Sequence, residues 1–315
     1  MTSISNYISQ IESELRDTKF PKNPANLYDP LRYFFDLGGK RLRPALTLMT
    51  AENFGSKGKS ALHAAMAIEL FHNFSLIHDD IMDEAPFRRG KETVHTKWNN
   101  HIAILSGDVL FVKAFESLAK CEAKYLSDLL NLFNKTATEV CEGQQMDMDF
   151  ETRETVTEDE YIEMIRLKTS VLLGCAIQFG AIVSELDSQF QKDLYDFGQY
   201  IGIAFQIKDD LLDLYGDPEK VGKQLGGDVI CGKKTMLSIK AREYGCTTDQ
   251  IHPVSSAESL VARAQEEFFK CGAKEYVEDR MVYYYKKALN CLSRLPSEQR
   301  KVFEDFSAYL IYRIH

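Results

Sequence analysis

The densest chemistry in the sequence lies in two acidic pentads, Asp79-Asp80-Ile81-Met82-Asp83 and Asp209-Asp210-Leu211-Leu212-Asp213. In each, the first and last aspartates stand four residues apart. On a helix that spacing puts both carboxylates on one face, one turn apart. The middle aspartate points elsewhere and reads as support. Leu76, Ile77, Ile81, Leu211 and Leu212 flank these acids. Carboxylates among such neighbours are costly unless they face water or a cation. The donors are hard oxygens with no Cys/His cluster beside them, which suits Mg²⁺ better than Zn²⁺. Mg²⁺ takes one or two carboxylates and completes its shell with phosphate oxygens. One such pentad could be a solvated helix end. Two, each on an apolar helix and each followed by basic residues, predict a metal-assisted phosphate site.

The basic residues come in a fixed order. Gly38-Gly39-Lys40-Arg41-Leu42-Arg43-Pro44 packs three cations beside a flexible turn, a combination suited to a diphosphate. Arg88-Arg89-Gly90-Lys91 follows the first pentad closely. Lys168-Thr169 interrupts an apolar helical stretch, and Gly222-Lys223 and Gly232-Lys233-Lys234-Thr235 follow the second pentad.

The elements that must position these groups read as helices. Apolar residues recur at three- and four-residue spacing over Ala61–Ile77, Ile102–Ala119, Tyr125–Val140, Tyr161–Val183, Phe190–Tyr215 and Ala257–Leu292. No sustained alternation predicts a substantial sheet. Breaks fall at Pro21–Pro24, Gly55–Gly58, Ala85-Pro86, Gly216–Pro218 and Gly226-Gly227. The pattern predicts an all-α protein, and with no linker-like tract, one domain over residues 1–315.

The formal net charge of −9 counts against nucleic acid, which wants a basic face, but not against small anions met by a local basic cluster. No apolar run approaches the roughly 20 residues of a membrane helix. Met1–Gln10 lacks the basic start and apolar core of a secretory signal. Seven cysteines without a CxxC pair predict reduced, mostly buried thiols, in keeping with a cytoplasmic protein.

Taken together, GGKRLRP, HDDIMDEAPFRRG, GQQMD (Gly143 to Asp147) and FQIKDDLLDLYGDP are highly specific. The sequence resembles the trans-polyprenyl diphosphate synthase family, which includes farnesyl and geranylgeranyl diphosphate synthases, over about Leu31 to Leu237 and more weakly beyond. The resemblance implies a single large helical bundle of the isoprenoid synthase type with a central cavity, working as a homodimer. It implies that Lys40, Arg43, His72 and Arg89 hold the diphosphate of isopentenyl diphosphate. It implies three Mg²⁺ ions, two on Asp79 and Asp83 and one on Asp209, with Asp80 and Asp213 supporting. Those ions, with Arg88, Lys168, Lys223 and Lys233, would grip an allylic diphosphate (dimethylallyl, geranyl or farnesyl). Thr169 and Gln206 would line the reaction centre, and Gln144 and Asp147 would support it. Lys168, Thr169, Gln206 and Lys223 are therefore the expected catalytic residues. Two departures stand out: the stretch from Lys240 to Glu266 is short for the family, and the loose spacing from Lys223 leaves the part played by Asp228 open.

In this family a bulky residue before the first pentad forms the floor of the chain-length cavity. Here Phe74 lies five residues before Asp79, Ser75 four and Phe71 eight, and the pentad carries no insertion. That resembles the archaeal-type geranylgeranyl pattern, so geranylgeranyl diphosphate is the expected product, with farnesyl diphosphate as the alternative. A class I terpene cyclase would need one aspartate pentad and no second diphosphate turn. A non-catalytic synthase subunit would have lost pentad aspartates or the basic turn, and none is lost here.

Overall fold

The structure is a computed structural model that describes residues 4–56, 59–217, 225–246 and 256–312. Apart from one two-residue hairpin, the regular structure among the described residues is helical, as expected. The chain clusters into two compact units, Met1–Asn134 with Cys175–Gln191, and Lys135–Gly174 with Lys192–His315.

In the first unit, α1 (Ile4–Asp17), α2 (Ala25–Asp36), α3 (Leu42–Asn53) and α4 (Lys59–Met82) precede a hairpin of β1 (Phe87–Arg88) and β2 (Lys91–Glu92). A short α5 (Val94–Lys97) and a long α6 (Asn100–Leu118) follow. Helix α4 is central and packs on both α3 and α6. Its Ala64, Ala65, Ala67, Ile68 and Phe71 are buried, and the alanines let neighbouring backbones come close. The helix runs past the expected Ile77 and takes in most of the first pentad. Asp83 N–H still bonds to Asp79 O at 2.9 Å, and Ala85 N–H to Asp80 O at 3.0 Å, while Glu84 at φ +48° turns the chain away. Asn99 caps α6 by accepting from Ile102 N–H at 2.9 Å. Gly107 on α6 admits His78 of α4: a Cβ there would lie 2.3 Å from His78 Nε2. The start of α7 (Ala123–Thr152) brings Phe133 into this core.

In the second unit, α8 (Glu158–Ile165) opens with a capping box between Thr157 and Glu160. It runs into a π-helical turn, Arg166–Ser170, and on into α9 (Val171–Val183), which from Cys175 belongs to the first unit. Periodicity predicted one uninterrupted helix here. The widened turn falls on Lys168-Thr169, and such turns gather at functional sites. Two glycines make room for it. A Cβ at Gly143 would sit 2.2 Å from Lys168 N, and one at Gly202 would sit 2.8 Å from Ser170 Cβ. Helix α10 (Ser188–Tyr215) carries the second pentad in its last turns. Then come α11 (Gly227–Ile230), α12 (Met236–Glu243), α13 (Ala257–Lys270), α14 (Ala273–Cys291) and α15 (Ser297–Tyr312). The single helix expected over Ala257–Leu292 is broken at Gly272, whose φ of +85° no helix interior accepts. Glu158 ties this unit together through ion pairs to Lys240 (2.6 Å) and Arg280 (2.7 Å) and a hydrogen bond from Tyr276 (2.7 Å).

Two expectations need correction. The helical run Glu158–Val183 does have the length and composition to cross a membrane, with a window of mean hydropathy 1.3. The chain itself buries 78% of that window, as for a core helix. The thiols are not mostly buried: Cys121, Cys175 and Cys246 are, but Cys141 and Cys231 are exposed. Of the short stretch Lys240–Glu266, residues 247–255 lie outside the described residues.

The tight seat of the π turn makes a prediction. Gly143→Ala forces a Cβ into backbone and should lower the unfolding free energy by about 1–3 kcal/mol. The check is the urea midpoint; an unchanged midpoint would mean that α7 and the π turn part freely.

Candidate active site

In the first unit the basic turn lies against α4. Lys40 is exposed. Arg43 Nη1 lies 3.1 Å from His72 Nε2, so the imidazole accepts there and must be unprotonated at that nitrogen. Burial, with Arg43 and Arg89 nearby, holds His72 well below the usual histidine range and keeps it neutral. Arg89 Nη1 donates to the Gly38 carbonyl, which fastens the hairpin to the turn. The four residues expected to bind one diphosphate therefore gather from α4 (His72), the start of α3 (Arg43) and the two turns beside them (Lys40 and Arg89). Arg41 does not join them. Its backbone is left-handed (φ +47°), and its side chain is buried against Glu12 and Glu69.

The first pentad divides as its spacing predicts. Asp83 is exposed and Asp79 partly so, while Asp80 is buried at 1% exposure. Arg88 Nε donates to both Asp80 oxygens at 2.8 Å, and its Nη2 lies 3.6 Å from Asp79. Burial pushes the Asp80 carboxyl up, and Arg88 opposes that shift. Arg88, expected to reach a substrate diphosphate, is thus occupied chiefly by the middle aspartate.

The second pentad repeats the division. Asp209 and Asp213 are partly exposed and Asp210 is buried. Tyr161 O–H donates to Asp210 Oδ2, and Gln206 Nε2 to its Oδ1 at 3.2 Å. Burial and the nearby Asp228 carboxylate push Asp210 up to about 8, against those two hydrogen bonds. Asp228 N–H donates to Asp213 Oδ2 at 3.0 Å, which places the start of α11 on the end of the pentad. Lys168 Nζ lies 2.6 Å from Asp147 Oδ2, and Lys233 Nζ lies 3.8 Å from the same oxygen. Asp147 of the GQQMD motif therefore holds both lysines. Gln144, three residues earlier, has a buried Nε2 with no hydrogen-bond partner among the described residues. Thr169 sits in the π turn, half-buried. Lys223 lies outside the described residues.

The donors offered to a metal are carboxylate oxygens in pairs, Asp79 with Asp83 at the end of α4 and just past it, and Asp209 with Asp213 in the last turns of α10. Among the described residues, no three acidic, histidine or cysteine groups gather into a closed cage. Paired carboxylates that leave most positions to water and phosphate fit Mg²⁺. Sequence reasoning missed Tyr161 and the Glu12–Arg41–Glu69 group. Neither belongs to a recognisable spacing, since each depends on which face of its element turns inward.

The polyprenyl synthetase family matches residues 24–267. A geranylgeranyl pyrophosphate synthase of Geoglobus acetivorans is 41% identical over 97% of this chain and 96% of its own. A geranylfarnesyl diphosphate synthase of Natronomonas pharaonis is 34% identical over 96% of this chain and 95% of its own. A crystal structure of a geranylgeranyl pyrophosphate synthase superposes with a TM-score of 0.93 at 42% identity, covering 100% of both chains. The fold is the helical fold of the isoprenoid synthases, and on the family match and the full-length identity the chain belongs to the polyprenyl synthetase family.

Proposed function

We propose that the chain condenses isopentenyl diphosphate with allylic diphosphates and stops at geranylgeranyl diphosphate, as a cytoplasmic homodimer whose residues 1–315 form one catalytic domain. It is a prenyltransferase, and the family generally uses Mg²⁺. The observation that carries the product length is an aromatic plug behind the first pentad. Phe74 stacks on Phe111 at 5.0 Å between ring centroids and packs on Phe71 at 5.5 Å. Phe133 backs Phe71 at 5.3 Å. Ser75 keeps its hydroxyl on the His72 carbonyl at 2.9 Å and presents little bulk of its own. Rings backed by rings yield less than a lone floor residue, and such a stop favours one defined length. Relatives named for both geranylgeranyl and geranylfarnesyl products keep the longer outcome in the test.

The chain's residues divide the work. Lys40, Arg43, neutral His72 and Arg89 bind the isopentenyl diphosphate group by charge-assisted hydrogen bonds. Asp79 and Asp83 would hold two Mg²⁺ ions and Asp209 a third, with Asp80 and Asp213 supporting. When bound, the metal supplies positive charge to the allylic diphosphate as it departs. Lys168, Lys233 and Lys223 add cationic charge, and Asp147 holds the first two in place until substrate arrives. Thr169 and Gln206 offer dipoles to the allylic carbon as its C–O bond breaks. The isopentenyl double bond then forms the new C–C bond, and a proton leaves to the released diphosphate, because among the described residues no side chain stands out as a base.

Three outcomes test this reading. Asp79→Ala and Asp209→Ala should each abolish most turnover with isopentenyl and geranyl diphosphates; wild-type rates from either would sink the metal assignment. Lys40→Ala should raise the KM for isopentenyl diphosphate by about tenfold or more, the worth of a charge-assisted contact, and hardly move that of the allylic substrate. Equal effects on both would mean the two diphosphate sites are wrongly assigned. Wild type should release a twenty-carbon product and Phe74→Ala a longer mixture, read by chromatography. An unchanged product from Phe74→Ala would remove that ring from the floor.

A further inference from the structure

The middle cation of the basic turn faces away from solvent. Arg41 is 4% exposed, whereas its neighbour Lys40 is exposed and Arg43 half-buried. The left-handed backbone at Arg41 turns that one side chain inward. There its Nε donates to Glu12 of α1 at 2.7 Å and its Nη1 to Glu69 of α4 at 2.6 Å. Glu69 is 2% exposed, and Asn73, one turn on, donates to the same Oε1 at 3.1 Å. The guanidinium also forms the bed of the turn. A Cβ on Gly39 would lie 2.9 Å from Arg41 Nη1 and 3.1 Å from Arg89 Nη1. Gly39 therefore rests on both arginines at once, and Arg89 grips the carbonyl of Gly38.

Resting on the diphosphate reading of that turn, we propose that Arg41 and Glu69 are positioning residues for isopentenyl diphosphate: their buried pair pins the turn to α4 and so sets the spacing of Lys40, Arg43 and Arg89 before substrate arrives. Two physical arguments support this. The first is charge. Arg41 and Arg88 disfavour the charge on Arg89, and Arg41, Arg43, Arg88 and Arg89 all disfavour a protonated His72. Glu69 attracts Arg43 and Arg89 as well as Arg41. It offers a counter-charge from inside the fold, where it cannot compete for the outer face that a diphosphate would occupy. The second is register. Glu69, Asn73, His72 and Asp79 share α4, so tying the turn to Glu69 ties it to the helix that bears the first pentad.

The test separates positioning from mere stability. Replacing a buried ion pair by apolar side chains of similar size is often neutral or stabilising, whereas removing one partner is not. The double variant Arg41→Met/Glu69→Leu should therefore melt near wild type. Its KM for isopentenyl diphosphate should rise by about tenfold. The KM for geranyl diphosphate and kcat should move less than about threefold. Arg41→Lys, which keeps the charge but loses the fork that bridges Glu12 and Glu69, should show the same split. A folded double variant with wild-type KM values, or one in which both KM values rise together, overturns the proposal. If the double variant does not fold, Glu12→Gln decides, since Glu12 is partly exposed: about a twofold rise in the same KM supports the proposal and no rise overturns it. Lys40→Ala runs alongside. If it too leaves the isopentenyl diphosphate KM unchanged, the diphosphate reading of the turn falls and this proposal with it. If Lys40→Ala raises that KM and the Arg41/Glu69 variants do not, only the positioning role fails.

Discussion

An ionised side chain inside an apolar helical framework is tolerated only beside an opposite charge or a set of hydrogen bonds. That constraint organises the chemistry in both units. Asp80 is buried because Arg88 meets both of its oxygens, and Glu69 because Arg41 and Asn73 meet it. Asp210 lies under Tyr161 and Gln206. Each buried acid is the neighbour, or lies on the helix, of carboxylates that stay at least partly accessible: Asp79 and Asp83, Asp209 and Asp213. Buried pairing thus acts as the mount, and the accessible charges are what the mount presents.

The same constraint explains why strain is placed where it is. Arg41 and Arg89 both hold left-handed backbones, at φ +47° and +53°. For a residue with a Cβ this costs about 1–2 kcal/mol. Each arginine offsets it with contacts that a relaxed backbone would forfeit, Arg41 with two carboxylates and Arg89 with the Gly38 carbonyl. The glycines beside them take the remaining close approaches. The π turn works on a similar principle: Gly143 and Gly202 give up side chains so that Lys168 and Thr169 can leave regular helical register.

What could be read in the sequence was whatever repeats or spaces regularly. The four-residue interval in each pentad set the middle aspartate apart from the outer two, and packing then buried that middle one. The helices around them followed from apolar periodicity. What could not be read was any feature that breaks periodicity without changing composition. Lys40, Arg41 and Arg43 look alike as letters, and only a left-handed φ sends the middle one inward. The π turn adds one residue to a helical turn inside a run that stays apolar on both sides. The break at Gly272 hides within a pattern that would suit one long helix, since Ala257–Lys270 and Ala273–Cys291 each keep their own apolar face. The place of Phe74 before the pentad could be read, but not its packing. The rings that back it, Phe111 from α6 and Phe133 from α7, are distant in sequence and come together only by packing.

Pairing also bears on how such a site can change. Removing one member of a buried pair leaves the other uncompensated and costs more than removing both together. Single substitutions at Arg41, Glu69, Asp80 or Arg88 are therefore penalised through stability whatever they do to chemistry. The aromatic plug carries no charge, so a change there costs only packing, which neighbouring rings can partly recover. The physics therefore makes the charged mount resistant to single changes and leaves the plug open to them.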